Sequence, residues 1–354
     1  MIDKLLIAVT AAITAIGLAH LVLSEAFSQN GYNAIPAHVI HSYSSWRVRH
    51  SKHHYTPSEL LFRTKVFHKN YLKVKQHNAG DSTYKLVLNH FADMTQEELE
   101  GKYLGHQVVP DNEMLGTKPG SYEKFQKMLD DIGDNIPSSI DWINKGAVTS
   151  VKDQKSCGSS WAFGAVAAIE GAYQIQNTVR KIFSEQYLID CAQNGNLGCK
   201  GGLTSLAFQY VLGTGLSQTS TYPYIGYTGT CNAVEPVFPL LQDYIQIQPQ
   251  NYTALLKAVS INPVSIVVSA STWFLYGGGI YNEPKCGVQL NHGAAIVGYD
   301  QDSHKNMYWV VKNSWGLQWG EKGYIRIARD PTKPVGVCGL LLKSYYVIPS
   351  EVGK

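Results

Sequence analysis

A chain of 354 residues, of which 44% are hydrophobic and 16% charged, has the composition of a globular protein and is long enough to bury a substantial core. Its formal net charge of only +3 argues against nucleic acid or an acidic surface as the main partner. Evidence on function must therefore come from local sequence motifs.

The N-terminal residues 5–23 are apolar and contain no Asp, Glu, Lys or Arg, and Lys4 precedes them. Small residues follow at Ala26 and Ser28, as they do at signal-peptide cleavage sites. We therefore predict that residues 1–28 are a cleaved secretory signal. A retained membrane anchor is the alternative, because the apolar stretch is also about as long as a membrane span.

Residues 38–78 form a basic segment that contains eight Lys or Arg and a single acidic residue. Apolar side chains recur in it at helical spacing and predict a helix with Ser58 as its N-cap. Residues 79–135 reverse the balance, with eleven acidic and five basic residues. Pro and Gly residues in the 110–135 part of this segment predict mainly a linker.

Beyond Pro137 the sequence becomes rich in Gly and Tyr. Residues 161–176 and 203–212 are predicted helices, and Gly213 is expected to end the second one. Short runs rich in β-branched and aromatic residues then predict strands at 263–270, 294–300, 307–313 and 323–329. Helices followed by an antiparallel sheet predict an α+β domain of two lobes, whose cleft suits an extended ligand.

All six cysteines lie after residue 150. An even number confined to one segment of an exported chain predicts three disulfides. A zinc site is disfavoured, because no Cys-x-x-Cys pair or Cys/His cluster has the spacing of metal ligands. The cysteines are Cys157, Cys191, Cys199, Cys231, Cys286 and Cys338.

Four residues have the types and order of a nucleophilic hydrolase site. Ser160 begins a predicted helix in "KDQKSCGSSWAF", where the helix dipole favours an anion. His292 in "QLNHGAAIVGYD" can share the proton of a nucleophile, and Asn313 in "VVKNSWG" can orient the imidazole. Gln154 can donate to an oxyanion. Each signal is weak alone, but their order and spacing together are specific.

In these motifs the chain resembles the papain family of cysteine peptidases, in its cathepsin L-like branch, over residues 38–350. The motifs are "DQKSCGSSWAF", "GCKGGL", "NHGAAIVGY" and "NSWGLQWGEKGYIRI". The prosegment resembles the family's inhibitory pattern in "NHFADMTQEE" and in six interspersed residues, with Val74 where Ile is usual. The six residues are Glu59, Arg63, Phe67, Asn70, Val74 and Asn78.

The resemblance implies a two-lobed papain-like domain, with a helical lobe and an antiparallel β-barrel-like lobe, preceded by a helical inhibitory prodomain. Residues 29–135 correspond to the propeptide, which is expected to lie backwards through the cleft, and residues 136–354 to the peptidase domain. The implied disulfides are Cys157–Cys199, Cys191–Cys231 and Cys286–Cys338, which leave no thiol for catalysis.

The resemblance also assigns roles at the site. Ser160, His292, Asn313 and Gln154 match the catalytic positions, polypeptides are the implied substrates, and no cofactor or metal is implied. Lys343 matches the base of the pocket for the second residue before the cut. The matching substrate-binding positions are Gly201, Gly202, Leu203, Val267, Leu290, Trp315 and Lys343.

Two residues depart from the family pattern: Ser160 stands where the family has Cys, and Lys155 where it usually has Gly. A serine hydroxyl is far less acidic than a thiol, so the thiolate–imidazolium pair cannot form in advance. We expect a rate loss of about a thousandfold or more, equivalent to about 4 kcal/mol of barrier. Lys155 raises the question of whether the oxyanion loop keeps its shape.

Three explanations of Ser160 remain open. The chain is a peptidase zymogen with a substituted nucleophile, a natural non-catalytic relative that serves as a binding or structural subunit, or a member that uses Ser productively, as the silica-depositing silicateins do. Trp161 and the lack of a serine cluster before Asn291 weigh against the third explanation.

The histidines are concentrated before residue 107, with nine of the twelve between His38 and His106. Unperturbed histidines titrate near pH 6.5, so acidification adds positive charge to the basic segment 38–78. We predict that the prosegment releases the mature domain as the pH falls from about 7 to 5. The alternative is that these are solvated histidines without a switching role.

Asn251 in "NYT" is the single N-glycosylation sequon of the chain. The resemblance and the signal predict the secretory pathway, with the lysosome, vacuole or cell exterior as destination, and Asn251 is then expected to be glycosylated. The alternative location is a membrane, with residues 5–23 as the anchor.

Overall fold

The computed structural model describes residues 35–53, 56–105, 118–193, 195–232 and 234–351. The predicted signal, residues 1–28, lies outside the described residues. Within the described part, no helix is long and apolar enough to cross a membrane. The chain divides into two compact units, one built from residues up to Asp81 with Leu88–Thr95, the other from Ser82–Val87 with Gln96–Lys354.

The first unit is built on two helices, α1 (Ala37–Arg49) and α2 (Pro57–Ala79). The ring of Phe67 on α2 packs 4.9 Å from that of Tyr43 and 5.4 Å from that of Trp46 on α1, measured between centroids. All three side chains are almost fully buried, so they form the apolar centre of this unit.

The N-terminus of α2 differs from the prediction. The N-cap is Thr56, whose Oγ1 accepts a hydrogen bond from the Glu59 N–H at 3.2 Å, so the prediction of Ser58 is wrong. Pro57 occupies the first helical position, where its fixed φ suits a helix and its missing N–H is not needed. The helix therefore begins before Ser58.

Polar side chains of α2 hold the loop Leu88–Thr95. Arg63 Nη1 donates to the Asp93 carbonyl at 3.0 Å, and Asn70 Nδ2 donates to the Ala92 carbonyl at 2.9 Å. A backbone segment without secondary structure needs such partners when its polar groups are buried. This explains why the resemblance to the inhibitory pattern includes Arg63 and Asn70.

His90 gives the first unit a predicted response to acid. Burial, with the charges of Lys52 and His50, lowers its pKa to about 4, against about 6.5 in an unfolded chain. The unfolded state therefore binds more protons between these values, and the unit loses up to about 3 kcal/mol as the pH falls from 7 to 4. Hydrogen exchange of α1 and α2, corrected for its intrinsic pH dependence, measures this loss.

His90→Leu is expected to remove most of that pH dependence, whereas His41→Asn on the exposed side of α1 is the control and should leave it intact. An unchanged response in His90→Leu contradicts the assignment to His90. The release of the prosegment by acid, which we assigned to residues 38–78, stays a prediction. His90, the histidine of this unit with the lowered pKa, lies outside that segment.

Part of the predicted propeptide belongs to the second unit, namely β1 (Tyr84–Leu86), α3 (Gln96–Tyr103) and α4 (Ser121–Ile132). The prediction of residues 110–135 as mainly a linker missed α4. Its flanking residues Gly120 and Gly133 both have positive φ and mark its ends, while the interior contains neither Gly nor Pro. The glycines that indicated a linker therefore delimit a helix.

Four further α-helices follow among the described residues: α5 (Ser160–Asn177), α6 (Glu185–Cys191), α7 (Thr204–Thr214) and α8 (Tyr252–Ile261). The predicted end of α7 at Gly213 is wrong by two residues. Gly215 ends the helix, because it adopts φ 77° and its N–H bonds to the Val211 carbonyl at 2.8 Å. Gly213 keeps a helical conformation inside α7.

Strands β2 to β9 are Ile140–Asp141, Leu241–Gln246, Val264–Val268, Tyr276–Tyr281, His292–Gln301, Met307–Lys312, Tyr324–Ala328 and Lys343–Pro349. The described strands form one sheet of nine strands in the order β1-β5-β8-β7-β6-β4-β9-β3, with β2 paired to β6. Strands β4, β6, β7 and β8 correspond to the predicted runs, with small differences at their ends.

The sheet is mixed, which corrects the expectation of a purely antiparallel one. β5 and β8 run parallel, with Ile280 opposite Arg326 and Tyr281 opposite Ile327. Each of these two strands has an antiparallel neighbour on its other side, β1 for β5 and β7 for β8. A parallel pair requires a long connection, and residues 282–323 supply it through β6 and β7.

Three disulfides use every cysteine of the chain, in the pairing that the family resemblance implies. The bridges are Cys157–Cys199, Cys191–Cys231 and Cys286–Cys338. Cys157–Cys199 joins the loop before α5 to the turn before α7, so it fixes two segments that approach the candidate site.

Asn251, the predicted glycosylation site, is the N-cap of α8 and is half-buried. Its Oδ1 accepts a hydrogen bond from the Ala254 N–H at 2.9 Å. The cap uses the amide oxygen, whereas a glycan is attached to the amide nitrogen, so capping and glycosylation are compatible.

Candidate active site

Ser160 is the first residue of α5 and is fully buried. Its Oγ accepts a hydrogen bond of 3.1 Å from the backbone N–H of Gly293, on β6. A Cβ at Gly293 would lie 2.6 Å from the Ser160 carbonyl oxygen, so only glycine permits this approach of strand to helix. The helix N-terminus and the start of β6 thus bring Ser160 beside His292.

His292 is held by Asn313. The imidazole Nε2 lies 2.8 Å from Asn313 Oδ1, which also accepts from the Ser314 N–H at 2.8 Å. Because both bonds require Oδ1 to accept, Nε2 carries the proton and Nδ1 is the basic nitrogen. Trp315 covers the ring, with centroids 4.9 Å apart.

Burial lowers the pKa of His292 to about 4, although the hydrogen bond to Asn313 Oδ1 and the backbone of Tyr103 both act to raise it. The ring is therefore neutral at neutral and mildly acidic pH. A neutral imidazole can act as a general base, but it does not form an ion pair with its neighbour in the resting protein.

Gln154 is fully buried and its orientation is fixed at both ends of the amide. Ser314 Oγ donates to Gln154 Oε1 at 2.6 Å, and Gln154 Nε2 donates to the Cys157 carbonyl at 2.7 Å. Nε2 also donates to the Tyr103 carbonyl at 3.0 Å. The group predicted to stabilise an oxyanion is therefore engaged by a backbone carbonyl of the predicted propeptide.

The segment 103–105 occupies the site at a second point. The Gly202 N–H, one of the predicted substrate contacts, donates to the Gly105 carbonyl at 2.8 Å. A Cβ on Gly202 would lie 2.6 Å from Asn196 Oδ1 and 2.8 Å from the Trp161 ring, so glycine is required there too. This part of the predicted propeptide thus takes the places expected for a peptide backbone.

The remaining predicted substrate residues lie in two groups, one just before α7 and one on β4, β9 and the loop before β6. Gly201 adopts φ 116° at the end of the turn before α7, and the Leu203 N–H donates to Asn196 Oδ1 at 2.8 Å. Val267 on β4 pairs directly with Lys343 on β9. Leu290 packs against the core that includes Val267, and Lys343 is half-buried.

Lys155 lies in the predicted oxyanion loop in a conformation unusual for a residue with a side chain. It adopts φ 54°, a region that favours glycine, and its N–H donates to Asp153 Oδ1 at 2.8 Å. Tyr224 also holds the loop, because its hydroxyl donates to the Gln154 carbonyl at 2.6 Å and lies 3.1 Å from Ser159 Oγ. These hydrogen bonds hold the loop with Lys155 in a strained backbone conformation.

A buried ionic cluster behind the site was not predicted. Lys152 Nζ lies 2.6 Å from Glu185 Oε1 and 2.9 Å from Glu170 Oε1, and Lys312 Nζ donates to Thr149 Oγ1 at 2.9 Å. Burial lowers the pKa of Lys312 to about 8 and raises the pKa of Glu185. The residues lie far apart in the chain, so no local pattern indicates the cluster.

The described residues contain no cluster of His, Cys, Asp and Glu that fits a metal ion. The profile described as "Papain family cysteine protease" matches residues 136–348, and that of the "Cathepsin propeptide inhibitor domain (I29)" matches residues 43–99.

Curated relatives include Vignain of Ricinus communis, 41% identical over 315 residues, which cover 86% of this chain and 85% of the relative. Papain of Carica papaya is 38% identical over 326 residues, which cover 91% and 90% of the two chains. A solved stem bromelain precursor is 34% identical with a TM-score of 0.78, over 89% of this chain and 99% of that one. The solved proform of the ragweed pollen allergen Amb a 11, a cysteine protease, is 34% identical with a TM-score of 0.76, over 88% of this chain and 95% of that one. The chain therefore belongs to the papain family of cysteine proteases and carries the family's propeptide inhibitor domain ahead of its peptidase domain.

Proposed function

We propose that this chain is a cathepsin L-type endopeptidase zymogen in which Ser160 leaves little or no proteolytic activity. Residues 29–135 are its propeptide and residues 136–354 its peptidase domain. The proposal rests chiefly on one observation: Ser160 Oγ accepts from the Gly293 N–H, while the neighbouring His292 is neutral and is oriented by an amide.

The chemistry follows from the charge that develops during attack. Serine must lose its proton to His292 as the new bond forms, which converts the buried imidazole to an imidazolium. In serine peptidases a buried carboxylate stabilises that cation, whereas Asn313 Oδ1 contributes only a dipole. Burial, which already lowers the pKa of His292, makes the imidazolium more costly still.

A binding role without hydrolysis is the second candidate. It is favoured by two hydrogen bonds, from the Gly202 N–H to the Gly105 carbonyl at 2.8 Å and from Gln154 Nε2 to the Tyr103 carbonyl at 3.0 Å. These contacts do not involve Ser160. A polypeptide can therefore occupy the cleft without being cut, and the protein would then act on a partner by binding.

Whether Ser160 supports any hydrolysis is tested by comparing the unaltered protein with Ser160→Ala, each after removal of the propeptide. We expect equal hydrolysis of fluorogenic peptides by the two proteins and binding of the same peptides by both. Hydrolysis by the unaltered protein at more than ten times the rate of Ser160→Ala would show that the serine is used productively.

Lys343 is proposed to set the preference for the second substrate residue before the cut. Its half-buried side chain lies opposite Val267, so an ammonium stands beside an apolar wall and favours an acidic side chain or a hydrogen-bond acceptor. A peptide library is screened against the Ser160→Cys protein with and without Lys343→Met. The Lys343→Met change should lower the cleavage of peptides that carry an acidic residue second before the cut by about tenfold. If Leu or Phe is preferred at that substrate position with and without the Lys343→Met change, the ammonium points to solvent and does not contribute to specificity.

A further inference from the structure

Helix α4 (Ser121–Ile132) lies between the two family matches, since residues 100–135 belong to neither of them. It packs against α8 and β3 within the second unit. Three residues from three elements contact α4 or the residues just before it. We call them the docking face: Asp243 on β3, Lys257 on α8 and Tyr346 on β9.

The apolar contact is made by one side of α4. Phe125 and Leu129, one helical turn apart, are 3% and 2% exposed. The ring of Phe125 lies 5.0 Å from that of Tyr346 between centroids, and the Tyr346 hydroxyl donates to Met128 Sδ at 3.7 Å. The opposite side, with residues such as Gln126, is exposed. This is the pattern of an amphipathic helix seated in a groove.

Polar contacts hold the two ends of the helical segment and fix its direction. Ahead of the first turn, the Lys118 N–H donates to Asp243 Oδ2 at 2.8 Å, and Asp243 is almost fully buried. In the last turn, Lys257 Nζ donates to the Leu129 carbonyl at 3.0 Å. An anion before the N-terminus and a cation at the C-terminus both complement the helix dipole, so a reversed helix would meet the wrong charge at each end.

We propose that Asp243, Lys257 and Tyr346 form an exosite on the peptidase domain that binds α4 independently of the cleft. The propeptide is then anchored at two places in this unit, by the segment 103–105 in the active site and by α4 on the docking face. Breaking the chain on either side of α4 leaves it bound. The ligand class is an amphipathic helix with an aromatic and an aliphatic anchor four residues apart. This inference does not depend on whether Ser160 is catalytic.

The test uses the full chain with its exosite vacated by Phe125→Ala and Leu129→Ala, titrated with a labelled synthetic peptide of residues 118–135. We expect the peptide to bind this variant at least tenfold more tightly than the unaltered chain, whose exosite is occupied. Adding Asp243→Asn and Lys257→Met to the variant should weaken the binding by at least tenfold. The matched control is Lys127→Ala on the exposed side of α4, which should bind the peptide as weakly as the unaltered chain does.

Equal binding to the vacated and unaltered chains, or no binding to the vacated chain, overturns the proposal. A second measurement applies if the vacated chain does not fold. In the unaltered chain the amides of residues 126–132 are expected to exchange with solvent at least a hundredfold more slowly than in the free peptide. Equal exchange rates in chain and peptide would show that the docking face does not hold α4.

Discussion

Replacing Ser160 by Cys is expected to raise peptide hydrolysis by about a thousandfold or more, equivalent to about 4 kcal/mol of activation free energy. The side chain at this position stands at the N-terminus of an 18-residue helix, whose dipole lowers the pKa of a thiol from about 8.5. His292 can then take the thiol proton in advance, and the thiolate offsets the cost of charging the buried imidazole. Gln154 and Asn313 are already in position.

The measurement is kcat/KM of the peptidase domain after removal of the propeptide, with Ser160→Ala as the baseline and the highest activity expected at mildly acidic pH. If a folded Ser160→Cys protein is as inert as Ser160→Ala, the site is impaired beyond its nucleophile. The strained Lys155 is then the first residue to replace by glycine.

Replacing Gly105 by Ala is expected to displace the propeptide from the active site. A Cβ at Gly105 would lie 1.9 Å from the Gly158 carbonyl oxygen, far inside the ~3.5 Å at which nonbonded atoms pack. Gly158 cannot retreat, since its N–H bonds to the Cys199 carbonyl at 2.9 Å next to the Cys157–Cys199 bridge. The segment must therefore leave its contacts with Gly202.

The effect is measured as the alkylation rate of the thiol introduced by Ser160→Cys in the full chain. With Gly105→Ala added, the rate should rise by about a hundredfold. Gly101→Ala is the matched control, because a Cβ at this exposed position of α3 meets no atom within 4 Å. Equal alkylation rates in the two glycine variants would mean that the segment 103–105 does not shield the site.

The sequence predicted the residues that meet at the candidate site more completely than the secondary structure around it. Motifs indicated Ser160, His292, Asn313 and Gln154 because each expected chemical role requires a particular side chain, and their catalytic roles stay a prediction. The hydrogen bond from the Gly293 backbone had no such signal, since any residue has an N–H. The buried charges around Lys152 were missed because their partners are distant in the chain.

Strand β5 shows why several strands escaped prediction. Its sequence "YGGGIY" has three consecutive glycines, which normally indicate a loop. Gly279 adopts φ 92°, and a Cβ there would lie 2.5 Å from the Thr83 carbonyl oxygen. The glycines allow β1 to approach closely, so the strand depends on a tertiary contact that local propensity does not reveal.

The buried charges behind the active site also constrain how this sequence can vary over evolutionary time. Lys152 and Lys312 are accompanied by Glu170 and Glu185, two cations and two carboxylates that neutralise one another. Losing any one of them leaves a net charge in the interior, which is more costly than losing an oppositely charged pair. We therefore expect sequences that descend from this one to change these positions in compensating pairs, whether or not they have catalytic activity.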